Sequence, residues 1–345
     1  MIYFQCDYAE GCHPAILEAL LHTNLEQTPG YGLDDHCERA RAKVRAACGR
    51  PDADVHFLVG GTQANTTVIF SILRHHQGVI SADAGHIATH ETGAIEATGH
   101  KVLALPSVDG TISAEQVEAL CKEHFTSPIK EHTVQPGMVY ISFPTESGTL
   151  YSKARLSALK AVCAAYGLPL FIDGARLGYG LMSPANDLTL EDIANLRDVF
   201  YIGGTKCGAL FGEAVVITGE PLKKDFRYAI KQRGGMLAKG RLLGIQFDAL
   251  LSDGLYFKIC HRAVEQALSL RQAFMDKGVA MWGNSFTNQQ FPILTAAQME
   301  HLSQCGYVYE VWGPADAGSA IVRFCTSWAT QPENIEKLIA DIKAM

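Results

Sequence analysis

The chain has 345 residues, of which 48% are hydrophobic and 19% are charged, and its formal net charge is −7 at pH 7. This length and balance predict one large domain with a smaller companion and exclude a long disordered tract. The negative charge, with lysines and arginines scattered along the chain, argues against nucleic acid as a partner.

The cysteines and the apolar runs indicate the cellular location of the protein. None of the ten cysteines forms a Cys-x-x-Cys pair, so we expect reduced core residues and neither a disulfide frame nor a zinc site. No signal-peptide pattern opens the chain, and no apolar run approaches the length needed to span a membrane. These features predict a cytoplasmic protein.

In chain order, apolar runs of strand length alternate with helical patterns through the first two thirds of the sequence. A capping box at Ser113 and Gln116 opens one helix, which runs towards Phe125, and a second helix is predicted over 153–166. Such alternation predicts an α/β fold with a mostly parallel sheet of about seven strands, covered by helices on both faces. The predicted strands are 55–59, 79–82, 101–105, 138–143, 169–173, 199–202 and 214–218.

The pattern changes after Glu220. Two long helices are predicted over 240–252 and 255–277, and they are followed by short strands and helices. We therefore predict a large cofactor-binding domain over 1–240, and bridging helices with a small α+β domain over 241–345. The short elements expected in this last part are strands near 290–294, 307–312 and 319–325 and helices over 295–304 and 332–344.

A glycine turn, Gly60-Gly61-Thr62, follows the first predicted strand and precedes a helical pattern over 67–73. Free backbone N–H groups at a helix N-terminus bind phosphate, and the Thr62 hydroxyl adds a donor. The alternative is a plain connection between a strand and a helix.

Two histidines four residues apart, His86 and His90, follow the next predicted strand. A metal site would need a third ligand, which the sequence does not show. Stacking of the flat His86 imidazole on an aromatic cofactor ring is the preferred interpretation, and an ordinary histidine at a helix start is the alternative.

Two later strands also end in reactive side chains. Asp173 ends one strand, with Arg176 three residues beyond it, and Lys206 follows the next strand within a run of small residues. A carboxylate in this position can hold a pyridinium nitrogen, and a lysine can form a Schiff base with a carbonyl cofactor. Pyridoxal phosphate requires both groups. The alternative for Asp173 is an ordinary ion pair with Arg176.

A late arginine, Arg323, lies in an alternating strand whose other inward positions are apolar. A guanidinium in such a place can bind a substrate carboxylate through two hydrogen bonds. From the pattern alone, a surface arginine on an edge strand explains it equally well.

With these residues collected, nearly the whole chain resembles the threonine aldolase and β-eliminating lyase family of fold-type-I pyridoxal phosphate enzymes. The motifs that carry the resemblance are Cys6-Asp7, His13-Pro14, Pro29 to Gly32, Gly60 to Asn65, Gly85-His86, Asp173 to Arg176, Lys206 and Arg323.

The resemblance implies roles for individual residues. Lys206 would form the Schiff base, His86 would stack on the ring, Asp173 would bind the pyridinium nitrogen, and Gly61 with Thr62 would bind the phosphate. The implied cofactor-binding set is Gly61, Thr62, His86, Asp173, Arg176, Thr205 and Lys206. The implied substrate-binding set is Cys6, Tyr31, Arg176 and Arg323.

Three positions depart from the family pattern. Cys6 stands where the aldolases usually carry a serine, and Glu146 stands near their active-site histidine. Leu237 replaces the arginine that is lent across the subunit interface to the phosphate, so Arg233 or Lys239 would have to substitute for it.

The predicted reaction is retro-aldol cleavage of a β-hydroxy-α-amino acid to glycine and an aldehyde. Lys206, His86 and Glu146 are the predicted catalytic residues, and Glu146, His86 or His90 is the base that takes the β-hydroxyl proton. The alternatives are β-elimination or transamination with the same cofactor, or a non-catalytic metabolite-binding protein. A homodimer or homotetramer is expected, in which Tyr31 and the segment 231–241 reach the neighbouring site.

Overall fold

A computed structural model of the protein describes residues 1–316 and 318–345. The strands are β1 (Ile2–Tyr3), β2 (Asp54–Leu58), β3 (Gln77–Ala82), β4 (Val102–Leu105), β5 (Gln135–Ser142), β6 (Leu170–Asp173), β7 (Val199–Gly203), β8 (Glu213–Ile217), β9 (Gln289–Gln290), β10 (Ile293–Thr295), β11 (Tyr307–Val308), β12 (Glu310–Pro314) and β13 (Ser319–Cys325).

Helices connect most of these strands. They are α1 (Pro14–His22), α2 (Asp35–Ala47), α3 (Gly61–Ile72), α4 (His86–Thr89), α5 (Ala114–Thr126), α6 (Lys153–Ala165), α7 (Leu177–Leu181), α8 (Leu190–Asn195), α9 (Glu220–Lys223), α10 (Phe226–Gln232), α11 (Arg241–Leu250), α12 (Leu255–Asp276), α13 (Ala296–Gln304) and α14 (Pro332–Ala344). None of the described helices is both long and apolar enough to cross a membrane.

A seven-stranded sheet with the order β2-β8-β7-β6-β5-β3-β4 forms the centre of the fold. β8 runs antiparallel to both of its neighbours, and the strands from β7 to β4 pair in parallel. The predicted mostly parallel sheet is confirmed, as are all seven of its strands to within a few residues.

Both faces of this sheet are buried, as predicted. Successive strand residues point to opposite faces, so that Ile172 and Phe200 join one hydrophobic core while Phe171 and Tyr201 join another. The first core is covered mainly by α2, α6, α11 and α12, and the second by α3 and α10. A sheet enclosed in this way brings the carboxyl ends of its parallel strands together at one edge.

The C-terminal part forms a smaller sheet with its own core. β13 lies between β10 and β12 and also pairs with β9, so the interpretation of Arg323 as an edge-strand residue is wrong. The strands expected near 290–294 and 307–312 are each split in two. β1 pairs with β11 and Phe4 enters the small core, which ties the N-terminal segment to this part of the chain. The domain boundary at residue 240 stays a prediction.

Two helices, α1 and α2, were not predicted although their start signals are present. Pro14 occupies the first turn of α1, where its missing N–H has no cost, and the Asp34 side chain accepts a hydrogen bond from the Cys37 backbone N–H at 2.9 Å to cap α2. The mean hydropathy of α2 is low because charged residues fill its outer face. Its few buried residues do not form a continuous apolar run, so a search for such runs misses this helix.

Candidate active site

A cavity of about 820 Å³ opens at the carboxyl edge of the large sheet and extends to the small sheet. Tyr31 does not line it, whereas the other residues predicted for cofactor, substrate and proton transfer do. Those residues are Cys6, Gly61, Thr62, His86, His90, Glu146, Asp173, Arg176, Thr205, Lys206 and Arg323. The structure therefore brings together side chains that lie hundreds of residues apart in the sequence.

The glycine turn reaches the cavity as the start of α3. Gly60 is the N-cap residue, and no side chain caps this end of the helix. The first-turn N–H groups of an uncapped helix lack partners and carry the positive end of the helix dipole. Thr62 is exposed beside them. The geometry is that of an anion-binding cradle formed by Gly60, Gly61 and Thr62.

Asp173 lies at the end of β6 and accepts several hydrogen bonds. Tyr140 donates to its Oδ2 at 2.6 Å and Asn65 donates to the same oxygen at 3.0 Å, while Tyr201 and the Ala175 backbone N–H donate to Oδ1. Burial alone would raise the pKa of Asp173, but the charge of His86 and these hydrogen bonds outweigh it and lower the pKa. Asp173 is therefore a buried carboxylate that stays ionised.

The backbone fixes the distance between the ends of β6 and β7. The Gly203 N–H donates to the Gly174 carbonyl at 3.0 Å, and a Cβ at Gly174 would lie 1.9 Å from the Tyr201 carbonyl oxygen. A Cβ at Gly203 would lie 2.3 Å from the Ala175 carbonyl oxygen. Only glycine permits so close an approach, and this approach sets Asp173 next to the turn that carries Lys206.

Lys206 follows β7 and its amine lies in the cavity. Within the described residues its Nζ has no hydrogen bond and no ion pair within 4.0 Å. Burial and the nearby charge of Arg176 lower the pKa of Lys206, against the opposing charges of Asp7 and Asp173. A lysine that is more readily deprotonated is a better nucleophile towards a carbonyl group.

His86 begins α4 and is held by a buried carboxylate. Its Nδ1 lies 2.8 Å from Glu91 Oε1, and Asn65 Nδ2 donates to the same Glu91 oxygen at 2.7 Å. Since Asn65 also donates to Asp173, one amide links the two carboxylates. Burial alone would lower the pKa of His86, but the hydrogen bond with Glu91 and the charge of Asp173 raise it. The stacking of His86 on a cofactor ring stays a prediction.

Arg176 pairs with Asp7, so its proposed ion pair with Asp173 is not formed. Its Nε and Nη2 donate to the two Asp7 oxygens at 2.7 and 3.0 Å. Asn288 also donates to Asp7 at 2.9 Å. This bidentate contact holds the guanidinium in place at the cavity wall, where Arg176 is available to a second anion.

Arg323 reaches the cavity from the small sheet. It is 8% exposed and donates to Glu310, to the Gln5 carbonyl at 3.0 Å and to Gln289 Oε1 at 3.3 Å. Its guanidinium also lies 4.9 Å from the centre of the Trp312 ring. A substrate carboxylate that binds Arg323 would therefore compete with Glu310.

Glu146 follows β5 and lies against the start of α4. Its Oε1 accepts hydrogen bonds from the His86 backbone N–H at 3.0 Å and from Ser142 at 2.7 Å, and its buried Oε2 has no partner among the described residues. Burial raises the pKa of Glu146 although the Ser142 hydrogen bond opposes it. The free oxygen makes Glu146 a group that can take or give a proton.

Tyr31 lies outside the cavity, in a separate small pocket. Its backbone is left-handed with φ of +61°, its carbonyl accepts from Arg227 at 3.2 Å, and Lys231 lies 4.8 Å from its ring centre. Leu237 lines the same pocket. These residues form an exposed surface of the chain, so a role for Tyr31 in a substrate site requires a neighbouring subunit and stays a prediction.

Several site residues were not predicted. Asp7 and Asn65 lie within motifs that carry the family resemblance but were given no role, and Glu91, Tyr140, Tyr201 and Glu213 were not singled out. The tyrosines look like ordinary core residues of an apolar strand, because only their hydroxyl groups reach Asp173. Glu213 carried a signal, since it is a charged residue that opens a buried strand.

Comparison with known proteins relates this site to one family. Residues 5–295 match the family model described as beta-eliminating lyase. The chain is 30% identical to a low specificity L-threonine aldolase of Pseudomonas sp., covering 99% of this chain and 97% of that protein.

Solved structures give the same relationship. A structure of Leishmania major threonine aldolase shares 44% identity with a TM-score of 0.96, covering 100% of this chain and 99% of the other. An aspartate aminotransferase from Thermus thermophilus shares the fold, with 16% identity and a TM-score of 0.71, covering 100% of this chain and 91% of the other.

Proposed function

Because this chain belongs to the β-eliminating lyase family, we propose that it is a pyridoxal-phosphate-dependent lyase that cleaves a β-hydroxy-α-amino acid to glycine and an aldehyde. Substrates of the threonine, allo-threonine or phenylserine type fit this reaction. The observation that carries the proposal is the meeting of Lys206, the ionised Asp173 and the uncapped start of α3 in one cavity. The names of the similar proteins from Pseudomonas sp. and Leishmania major support it.

The residues of the cavity fit pyridoxal phosphate. The cradle Gly60 to Thr62 offers N–H groups to the phosphate, Asp173 offers a carboxylate to the pyridinium nitrogen, and Lys206 offers its amine to the aldehyde. When bound, the cofactor supplies an electron sink for the electron pair that is released as the bond to the β-carbon breaks.

The arginines orient the substrate. Arg176, held by Asp7, and Arg323, once released from Glu310, would bind the substrate carboxylate from two sides. A carboxylate fixed in this way turns the Cα–Cβ bond towards the position from which it is broken, and such positioning lowers the barrier because the reacting geometry is set before the bond breaks.

The β-hydroxyl proton must pass to a base, and Glu146 is the leading candidate. Its Oε2 is free, whereas Oε1 is held by the His86 N–H and Ser142. His86 is engaged by Glu91 through Nδ1, and the pKa of His90 is lowered by burial and by the charge of His86, so both remain alternatives through their other ring nitrogens.

The proposal also covers the substrate, the oligomeric state and the cellular location of the protein. We expect a small amino acid as the substrate, a homodimer or homotetramer with the active site at the subunit interface, and a cytoplasmic location. Leu17 and Leu21, one turn apart on α1, and Leu25 just beyond its end are exposed, and such apolar side chains support an interface that includes this segment.

The test is aldehyde release by the cofactor-loaded protein from L-threonine, L-allo-threonine and both diastereomers of β-phenylserine, with glycine measured in the same samples. Equal amounts of aldehyde and glycine are expected. A keto acid with ammonia would instead identify β-elimination. A protein that stays colourless with added cofactor would point to a non-catalytic binding protein and contradict the proposal.

A further inference from the structure

A buried carboxyl group, Glu213, lies between the phosphate cradle and Lys206. It is the first residue of β8, and it pairs with Leu58 at the end of β2 on one side and with Gly203 at the end of β7 on the other. Because β8 runs antiparallel, its first residue shares a sheet edge with the last residues of its neighbours. The cradle follows Leu58 and Lys206 follows Gly203, and Glu213 lines the cavity between them.

Glu213 has neutral hydrogen-bond partners and no counter-ion. It is 3% exposed and accepts hydrogen bonds from the Gly204 N–H at 3.0 Å and from the Thr205 hydroxyl at 2.9 Å. In the described part of the chain no cationic nitrogen lies within 4.0 Å of its oxygens. An isolated buried carboxylate is costly, so the group favours its protonated form. Burial raises the pKa of Glu213 to about 8, against the hydrogen bond with Thr205 and the charge of Lys206.

The two arginines of the cavity are already paired with carboxylates. Of the arginines, Arg176 is bound to Asp7 and Arg323 to Glu310. The family's cross-subunit arginine is replaced by Leu237, which lies in the separate pocket beside Tyr31. A dianionic phosphate in the cradle would share this cavity with an ionised Glu213, and like charges in a buried site repel even where a cation such as Lys206 offsets part of the repulsion.

We propose that Glu213 holds the proton that cofactor binding requires: it stays protonated while a phosphate occupies the cradle, and its ionised form weakens binding. Loading the cofactor above neutral pH therefore takes up a proton from solvent onto the Glu213 carboxyl. This inference rests on the proposed function, because it requires a phosphate-bearing cofactor in this cavity.

Three titratable groups face Glu213, and the test must separate their effects. Lys206 lies on the turn after β7, Tyr201 on β7 and Asp173 on β6, and each interacts with the Glu213 charge. Asp173 stays ionised and the pKa of the buried Tyr201 hydroxyl lies well above its usual value, so neither titrates near neutral pH. Lys206 does lose its charge as the pH rises. Glu213→Gln keeps Lys206, so the contribution of Lys206 to the pH dependence of binding remains in this variant.

The experiment measures pyridoxamine 5′-phosphate binding to the protein stripped of cofactor. This ligand lacks the aldehyde, so it does not bond covalently to Lys206. Calorimetry in buffers of different ionisation enthalpy gives both affinity and proton uptake from about pH 7 to pH 9.5, where the phosphate is already a dianion.

Wild-type affinity should fall by up to about tenfold per pH unit above about pH 8, with uptake of about half a proton or more. Glu213→Gln, which mimics the neutral carboxyl, should bind with a flatter pH dependence and show less proton uptake, and the uptake that remains belongs to the ligand ring nitrogen that Asp173 keeps protonated. Glu115→Gln removes an exposed carboxyl on α5, away from the cavity, and should keep the wild-type dependence. If the glutamine variant does not fold, Glu213→Ala also removes the titrating group.

Equal pH dependence and equal uptake in wild type and Glu213 variants would overturn the inference while leaving the cofactor site standing. Absence of binding at every pH would overturn the proposed function as well. A lower melting temperature of the glutamine variant without a change in the pH dependence would show that Glu213 serves only to hold the turn of Gly204 and Thr205.

Discussion

At the scale of single residues, the site depends on a few side chains whose charge is set by burial and by their neighbours. Asp173 stays ionised because three side chains and a backbone N–H donate to it, whereas Glu146 and Glu213 have fewer donors and raised pKa values. Burial, the charge of His86 and the number of hydrogen-bond donors thus divide these three carboxyl groups into one acceptor and two proton carriers.

Lys206→Ala should abolish turnover, to below about one thousandth of the wild-type kcat, because it removes the amine that holds the cofactor. The visible absorbance of the bound cofactor should disappear with it. Lys122→Ala, which changes an exposed lysine on α5, is the matched control and should behave as wild type. A Lys206 variant that retained full activity would rule out this role.

Glu146→Gln should slow cleavage by about 10²–10⁴-fold while cofactor affinity is unchanged. The carboxylate form acts as the base and exists only above the raised pKa of Glu146, so the wild-type rate should rise with pH through that value and the glutamine variant should lack this rise. Steady-state kinetics over a pH series provide the measurement. Glu115→Gln, at an exposed carboxyl on α5, is the control. Identical profiles for wild type and Glu146→Gln would exclude Glu146 from proton transfer.

The sequence was sufficient to find Asp173, Arg176 and Lys206, because each follows an apolar run and polar groups in such places are uncommon. It was not sufficient to find their partners. Asp7 lies 169 residues before Arg176, and Tyr140 and Tyr201 carry their polar atoms on otherwise apolar side chains within strands. Pairing across such distances depends on tertiary contacts, which neither local periodicity nor spacing records.

At the scale of elements, the strands of the large sheet and most of the longer helices lie within a few residues of their predicted bounds, whereas α1 and α2 were missed. Strands buried on both faces give continuous apolar runs, whereas α2 buries only a narrow stripe and was missed. The packing of α2 against α11 depends on Gly244. A Cβ at this position would lie 2.6 Å from the Cys37 Cα, so the two helix backbones touch there.

Gly244→Ala should lower the free energy of unfolding by about 1–3 kcal/mol, because the helices must separate to admit a methyl group. This loss is the net effect, after the gain of about 1 kcal/mol in helix propensity from Gly to Ala. Melting temperatures recorded at one heating rate provide the measurement. Gly11→Ala is the control, since its Cβ would meet no atom closer than 3.9 Å. An unchanged or higher melting temperature for Gly244→Ala would contradict the close packing.

At the scale of the whole molecule, one chain supplies most of the predicted site residues, but Tyr31 lies outside the cavity that they line. Tyr31 lines a separate pocket with Arg227, and Lys231 lies against its ring, away from the cavity of its own chain. An assembly in which this surface faces the cavity of a second copy would place Tyr31 where the family resemblance puts it. Closed symmetric pairs of this kind are the commonest oligomers.

Mixed oligomers test this arrangement. If Tyr31 serves the neighbouring site, a dimer of one Lys206→Ala chain and one Tyr31→Ala chain has one intact site, and random mixing of the two inactive variants should restore about one quarter of the wild-type activity. If Tyr31 acts in its own chain, no mixed site is intact. Light scattering that shows only monomers would contradict a shared site. So would a mixture of the two variants, each impaired alone, in which no activity is restored.

The contact between Gly174 and Gly203 has a mechanical consequence. Two strand ends that touch through bare backbone, with a hydrogen bond of 3.0 Å between them, cannot slide or spread independently. Asp173 and the turn that leads to Lys206 therefore move as one rigid piece, and the span between carboxylate and amine is set by the main chain. Substitutions elsewhere in the cavity lining can change which substrate binds without changing the distance between Asp173 and Lys206. The cofactor-binding geometry can therefore be kept while the substrate preference changes.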